Sequence, residues 1–149
     1  MKLGLGAVLA FALVGCAGAE PAASDGVSTA NETEAATVRF GVDAWEPTWS
    51  SVTPGGTLTI DYDFDRLTTC RNTGHVVSWV MEANYRFDGG AWQSIVLPGS
   101  PGAAETTNQI AIPKDAKSID LWFTNRAVGG YDHCIAYDSR FGANYSFAL

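Results

Sequence analysis

The sequence predicts an all-β fold: a two-sheet antiparallel β-sandwich of about seven to eight strands, immunoglobulin-like in outline. Three observations lead there. Apolar–polar alternation recurs in strand-length runs along residues 38–149. Turn-forming triplets such as Pro54-Gly55-Gly56 and Asp88-Gly89-Gly90 separate those runs. No stretch combines a helical period with helix caps. The elements follow in order. Val38, Phe40 and Val42 alternate and open the domain. Leu58, Ile60, Tyr62 and Phe64 alternate against Thr57, Thr59, Asp61, Asp63 and Asp65, the signature of a half-buried strand. Val77 to Phe87 forms the next strand, and the Asp-Gly turn sends it back as a hairpin into Ala91 to Leu97. Ile110 to Ile112 is a short strand stopped by Pro113. Ser118 to Asn125 places Ile119, Leu121 and Phe123 on one face, and Tyr145, Phe147 and Leu149 close the chain.

With 149 residues the chain holds one domain of ordinary size. At 46% hydrophobic and 17% charged it is composed as a globular chain, not a disordered one. Nine basic against sixteen acidic residues excludes a nucleic-acid backbone as the main partner. The N-terminus reads as an export signal. Met1-Lys2 is followed by an apolar run from Leu3 to Val14, too short to span a bilayer and of the right length for a signal-peptide core. That run ends Leu13-Val14-Gly15-Cys16, which resembles the lipobox of bacterial lipoproteins. The resemblance implies that residues 1–15 are cleaved and that Cys16 carries the lipid, two or three acyl chains anchoring the protein stably in a bilayer. Ala17 stands where an Asp would imply retention at the inner membrane, so the resemblance implies the outer membrane, facing the periplasm or the surface. From Cys16 to Thr37 the chain is rich in Ala, Ser, Thr, Gly and Glu and holds no aromatic residue. It cannot bury enough apolar surface to offset its ordering entropy and is expected to be a disordered tether.

Two further cysteines, Cys70 and Cys134, remain in what reads as an exported chain. A disulfide is the default for such a pair; a free thiol nucleophile and a metal site are the alternatives.

Three segments together resemble an exported bacterial β-domain family known only as domain of unknown function 6209. They are Pro54-Gly-Gly-Thr-Leu-Thr-Ile-Asp-Tyr-Asp-Phe-Asp-Arg-Leu67 with Cys70, Leu121-Trp-Phe-Thr-Asn125, and Cys134-Ile-Ala-Tyr-Asp-Ser-Arg-Phe-Gly-Ala-Asn-Tyr-Ser-Phe147. The resemblance spans roughly residues 38–149 and implies an exported sandwich with a Cys70–Cys134 bridge, without an activity. Residues 137–145 are also similar to the end of starch-binding modules of carbohydrate-binding families 25 and 26, with Tyr137 in place of a Trp and Ser139 in place of an Asn.

Several side chains are candidates for chemistry. Trp122 lies opposite Ile119, Leu121 and Phe123 in phase, so it points outward if those three face the core, and an exposed indole can stack on a sugar. Trp45 and Trp49 share a Pro-containing loop and are positioned to pair at the rim. Asp138, Arg140, Asn144 and Tyr145 surround a Gly142 turn and offer donors and acceptors suited to hydroxyl pairs. The bland alternative is that they satisfy the turn's own backbone. Asp61, Asp63 and Asp65 would lie about 6.5–7 Å apart along a straight strand, a spacing that favours calcium or arginine partners. They do not form an EF-hand, because Arg66 and Asn72 stand where Gly and Glu are needed. His75 and His133, with Asp132 and Asp138, have the ligand types of a zinc site. The chain lacks a nucleophile elbow, a His-Glu-x-x-His, a P-loop and a dinucleotide fingerprint.

These readings predict a lipid-anchored envelope protein that binds without catalysis, recognising carbohydrate through Trp122, Trp45 and the polar turn. No cofactor is expected; calcium at the aspartates and zinc at the histidines are the alternatives. The other readings are a structural or protein-docking envelope lipoprotein, and a small hydrolase using paired carboxylates.

Overall fold

The computed structural model describes residues 35–71, 78–129 and 133–149. The expected signal peptide, Cys16, all but the last three residues of the tether, Val77, His75 and Asp132 lie outside these residues.

Among the described residues nine strands form two sheets: β1 (Ala36–Phe40), β2 (Thr48–Trp49), β3 (Thr57–Tyr62), β4 (Trp79–Phe87), β5 (Gln93–Val96), β6 (Gln109–Ala111), β7 (Ser118–Ala127), β8 (Ile135–Asp138) and β9 (Tyr145–Ala148). There is no α-helix among the described residues; Phe64–Arg66 makes one 3-10 turn, capped by the Asp63 carboxylate. The first sheet runs β2-β1-β3-β6, and in the second β5, β4 and β7 are followed by β8 and β9 on one edge.

The expected sandwich is present, with three differences. The pair β1–β3 is parallel, because the chain returns through a long connection carrying β2 rather than through a hairpin; every other pair is antiparallel. β1 begins at Ala36, ahead of the expected boundary at Val38, and Ala36 is buried against the core. β3 ends at Tyr62, where the sequence alternation continues to Asp65.

The core lies between the sheets. Val38, Phe40, Leu58, Ile60 and Tyr62 from the first meet Met81, Ala83, Ile119, Leu121, Phe123, Tyr145 and Phe147 from the second. Period-2 alternation puts these side chains on the inner faces, and burial of their apolar surface holds the layers together. Phe40 and Phe123 pack edge to face at 4.6 Å, and Tyr62 lies 4.2 Å from Phe123.

The edge formed by β8 and β9 is discontinuous, and this positions the site. Phe123 pairs with Asp138 and Leu121 with Tyr145, so residues 139–144 bulge out opposite the single residue Trp122. Arg140, Phe141, Gly142 and Asn144 all have positive φ, which gives the bulge its sharp reversal. Cys70 and Cys134 form the disulfide, with Cα atoms 5.3 Å apart, joining the segment after the 3-10 turn to the start of β8.

Candidate functional site

Where the 3-10 turn meets β8, a buried polar hub closes one end of the sandwich. Arg66 and Asp138 have side chains only 6% and 9% exposed and lie 2.9 Å apart. Every N–H of the guanidinium has a partner. Nε donates to Asp138 Oδ2, Nη1 to the carbonyls of Gly41 and Ala44, and Nη2 to the Trp45 carbonyl and to Tyr145 Oη. Asp138 also accepts from Tyr62 Oη at 2.9 Å and from Tyr145 Oη at 2.5 Å. Burial, reinforced by the hydrogen bond to Asp138, pushes the Tyr145 hydroxyl up to about 12, and burial with the nearby Asp138 charge raises that of Tyr62.

The structure places Asp138 and Tyr145, both expected to contact a ligand, inside this network. Both alternate inward: Asp138 pairs in register with Phe123, and Tyr145 with Leu121, each facing the core. Their polar atoms are consumed by the hub. The turn comprises residues 139–144: Asp138 ends β8, and Tyr145 begins β9, the strand expected to close the chain.

Outside the hub, the connection after β1 and the bulge form a rim. Arg66 holds the backbone of residues 41–45, and Trp45 stacks on Phe141 at 5.2 Å. Trp45 is 54% exposed and Phe141 93% exposed. Arg140 Nη2 lies 2.7 Å from Glu46 Oε1, tying the bulge to the same connection. Asn144 is half-buried and its backbone N–H closes the bulge on the Ser139 carbonyl. Trp45, Arg66, Tyr137, Asp138, Arg140 and Phe141 help line a cavity of about 470 Å³. Trp49, expected to pair with Trp45, sits instead in β2 and packs edge-on against Phe147 at 5.2 Å.

The outer face of the second sheet carries the other aromatic group. Trp122 points outward and is half-buried, between Trp92 and Tyr137, each 5.9 Å from its ring. Trp92 is 41% exposed and Tyr137 60% exposed. The three cross the sheet diagonally, from just before β5, over β7, to β8. Polar rows border them. Arg86, Asp120 and Ser146 are linked on one side. Glu82 bonds Thr124 and Arg126 on the other. The Arg86 guanidinium lies 4.5 Å from the Trp92 ring centre and fixes it. Tyr137 belongs both to this strip and to the cavity, so the two surfaces are continuous.

The model of the Family of unknown function (DUF6209) matches residues 11–149. The chain belongs to this family. The match starts well ahead of the expected span, inside the N-terminal apolar run. No curated protein and no solved structure matches the chain.

The three segments that carry the family resemblance converge on the hub. Tyr62 and Arg66 come from the first, Phe123 from the second, and Asp138 and Tyr145 from the third. Asn125 of the second segment, fully buried, donates to the carbonyls of Leu67 and Thr69 and fastens the approach to the disulfide.

The acidic ladder does not form. Because β3 stops at Tyr62, Asp61 faces Arg39, Asp63 caps the 3-10 turn and Asp65 pairs with Arg71. No group of three or more metal-ligating side chains occurs among the described residues. His133 is exposed beside Cys134; its expected partners His75 and Asp132 lie outside the described residues. Trp92, Tyr137 and Phe141 are the residues of these two surfaces that sequence reasoning did not name as binding candidates. Tyr137 and Phe141 carried a signal, since both stand in the segment similar to starch-binding modules. Trp92 carried none, because it precedes the hairpin's paired residues.

Proposed function

We propose that this protein is an exported, lipid-anchored envelope protein of the outer membrane that binds carbohydrate. The observation that carries the binding reading is the diagonal strip Trp92–Trp122–Tyr137, bordered on both sides by hydrogen-bonded polar rows. Aromatic rings present a flat apolar body to the C–H face of a sugar, while polar borders meet its hydroxyls. A rigid two-sheet scaffold holds these groups in place before a ligand arrives, which limits the entropy lost on binding.

The anchoring reading rests on Leu13-Val14-Gly15-Cys16 at the end of the apolar run.

Trp122→Ala in the full chain tests the binding reading. Retention on insoluble or immobilised polysaccharide is expected to fall to background while the unfolding midpoint moves little; unchanged retention overturns the reading. Mass spectrometry of the N-terminal peptide tests the anchor, with an acylated Cys16 expected and an unmodified Cys16 overturning it.

A second reading has its own support. Phe141 is 93% exposed and stacks on Trp45, which leaves an apolar knob beside the cavity. Such a knob fits docking of a partner protein. Phe141 variants that abolish cross-linking to an envelope protein, with polysaccharide retention intact, would favour that reading.

A further inference from the structure

We infer that the ligand is an uncharged glycan chain, bound along several consecutive sugar units that run from Trp92 across Trp122 to Tyr137 and the cavity mouth; this rests on the carbohydrate reading above. Two independent observations carry it.

The first is continuity. Trp92, Trp122 and Tyr137 follow one another at 5.9 Å steps, and Tyr137 passes the path on to the cavity shared by Trp45 and Phe141. A site for one sugar needs one ring and a closed pocket. Here exposed Trp92, half-buried Trp122 and exposed Tyr137 follow a line from the residue before β5, over β7, to β8. Contacts spread in this way reward a ligand whose units are covalently joined. Trp122 and Tyr137 lie within 27° of parallel and Trp92 stands at 88° to Trp122, so once one unit has docked its neighbours are held at high effective concentration against the next aromatic side chain, whether by ring face or ring edge.

The second is charge. Each arginine bordering the path already has a carboxylate: Arg86 with Asp120 at 2.8 Å, Arg126 with Glu82 at 3.0 Å, and Arg140 with Glu46 at 2.7 Å. Arg66 has all its donors engaged, and Asp138 is bonded by Arg66, Tyr62 and Tyr145. A uronate or other acidic sugar would have to displace a carboxylate from one of these pairs. An uncharged sugar meets hydrogen-bonding groups on both borders and leaves every pair intact.

The test uses the full chain in a non-glycosidic detergent. Retention is measured first on an array of neutral polysaccharides (amylose, cellulose, laminarin, mannan, xylan) and acidic ones (alginate, polygalacturonate, hyaluronate). Oligosaccharides of one to six units from the polymer retained are then titrated by tryptophan fluorescence. The expected result is retention on a neutral polymer, with affinity rising by about tenfold or more from monomer to tetramer. Trp92→Ala and Tyr137→Ala, both at exposed positions, are expected to flatten that length dependence, each returning the tetramer towards the affinity of shorter chains. A monosaccharide that binds as tightly as the tetramer, or retention on acidic polymers alone, overturns this inference while leaving the carbohydrate reading standing. A length dependence unchanged in both variants also overturns it. If no polymer is retained, the carbohydrate reading itself fails, and this inference with it.

Discussion

Two arginine–aspartate pairs with nearly the same geometry do different things in this molecule. Arg66 and Asp138 meet at 2.9 Å inside the sandwich; Arg86 and Asp120 meet at 2.8 Å on its outer face. The inner pair is surrounded by two tyrosine hydroxyls and three backbone carbonyls, and so fixes where β8, β9 and the connection after β1 can lie. The outer pair keeps water on one side and steadies a tryptophan. Ion-pair distance therefore reveals little about role. Burial and the number of further partners decide it, because an unpaired charge is costly only where water cannot replace the partner.

The sharpest way to break the comparison is to remove one carboxylate from each pair. Asp138→Ala leaves the Arg66 cation buried, and a loss of about 3–5 kcal/mol in chemical denaturation is expected. Asp120→Ala, solvated on one side, is expected to cost about 1 kcal/mol or less. Equal losses would show that the inner pair is not the element that fixes this end of the fold. The disulfide comes next, since it joins the same two segments as the inner pair. Cys70→Ser with Cys134→Ser opens a loop of sequence separation 64. A loss of about 2–4 kcal/mol is expected, measured against the oxidised protein under the same conditions.

Alkaline titration probes the inner hub alone. The Tyr145 hydroxyl is raised to about 12 by burial and by its bond to Asp138, against an unfolded value near 10. A raised folded value means the native state holds its proton more tightly. The associated stability is therefore fully present below pH 10 and is lost as pH rises towards 12. For Tyr145 the loss is on the order of 2–3 kcal/mol. The expected outcome is that tyrosinate absorbance from the hub appears together with loss of tertiary signal. Its appearance near pH 10 in a still-folded protein would contradict the buried network. Trp122 lies outside this network, so Trp122 variants should keep the same alkaline midpoint.

What the sequence made legible follows the same division. Alternation at residues 58–62 and 119–123 predicted the facing strands, and the pair of cysteines predicted the bridge, because local periodicity and residue counts carry both. The hub was not legible. Arg66 and Asp138 are 72 residues apart, and Asp138 reads as a turn residue until the register of β8 against β7 is known. β8 itself is four residues long and is cut off from β9 by the bulge, too short for a periodic signal. Trp122 was legible as outward-facing from its phase in β7. Its neighbours were not, since Trp92 and Tyr137 reach it only through strand pairing across the sheet.

On the outer face the expected stability effects shrink. Trp122→Ala removes a half-buried ring flanked by Trp92 and Tyr137, and about 1–2 kcal/mol is expected, well below the effect of Asp138→Ala. A loss of 4 kcal/mol or more, an estimate typical of a core aromatic, would place Trp122 with the core and remove the reason to regard the strip as a site.

The smallest expected effect is at Phe141, and its smallness is informative. The residue is 93% exposed and adopts a φ of 57°, a region that disfavours side chains of its size. Its stack on Trp45 is solvated, so folding gains little from placing an aromatic ring there. Phe141→Asn keeps a side chain that tolerates this backbone and removes the ring. The relief of backbone strain and the loss of the stack should nearly cancel, leaving stability within about 0.5 kcal/mol of the parent. That outcome would show that the stack on Trp45 only offsets the cost of the backbone conformation, and that Phe141 is not one of the residues that hold the fold together. If Phe141→Asn instead destabilises the protein by several kcal/mol, the rim belongs with the inner hub as a structural element, and the outer strip stands alone as the binding surface.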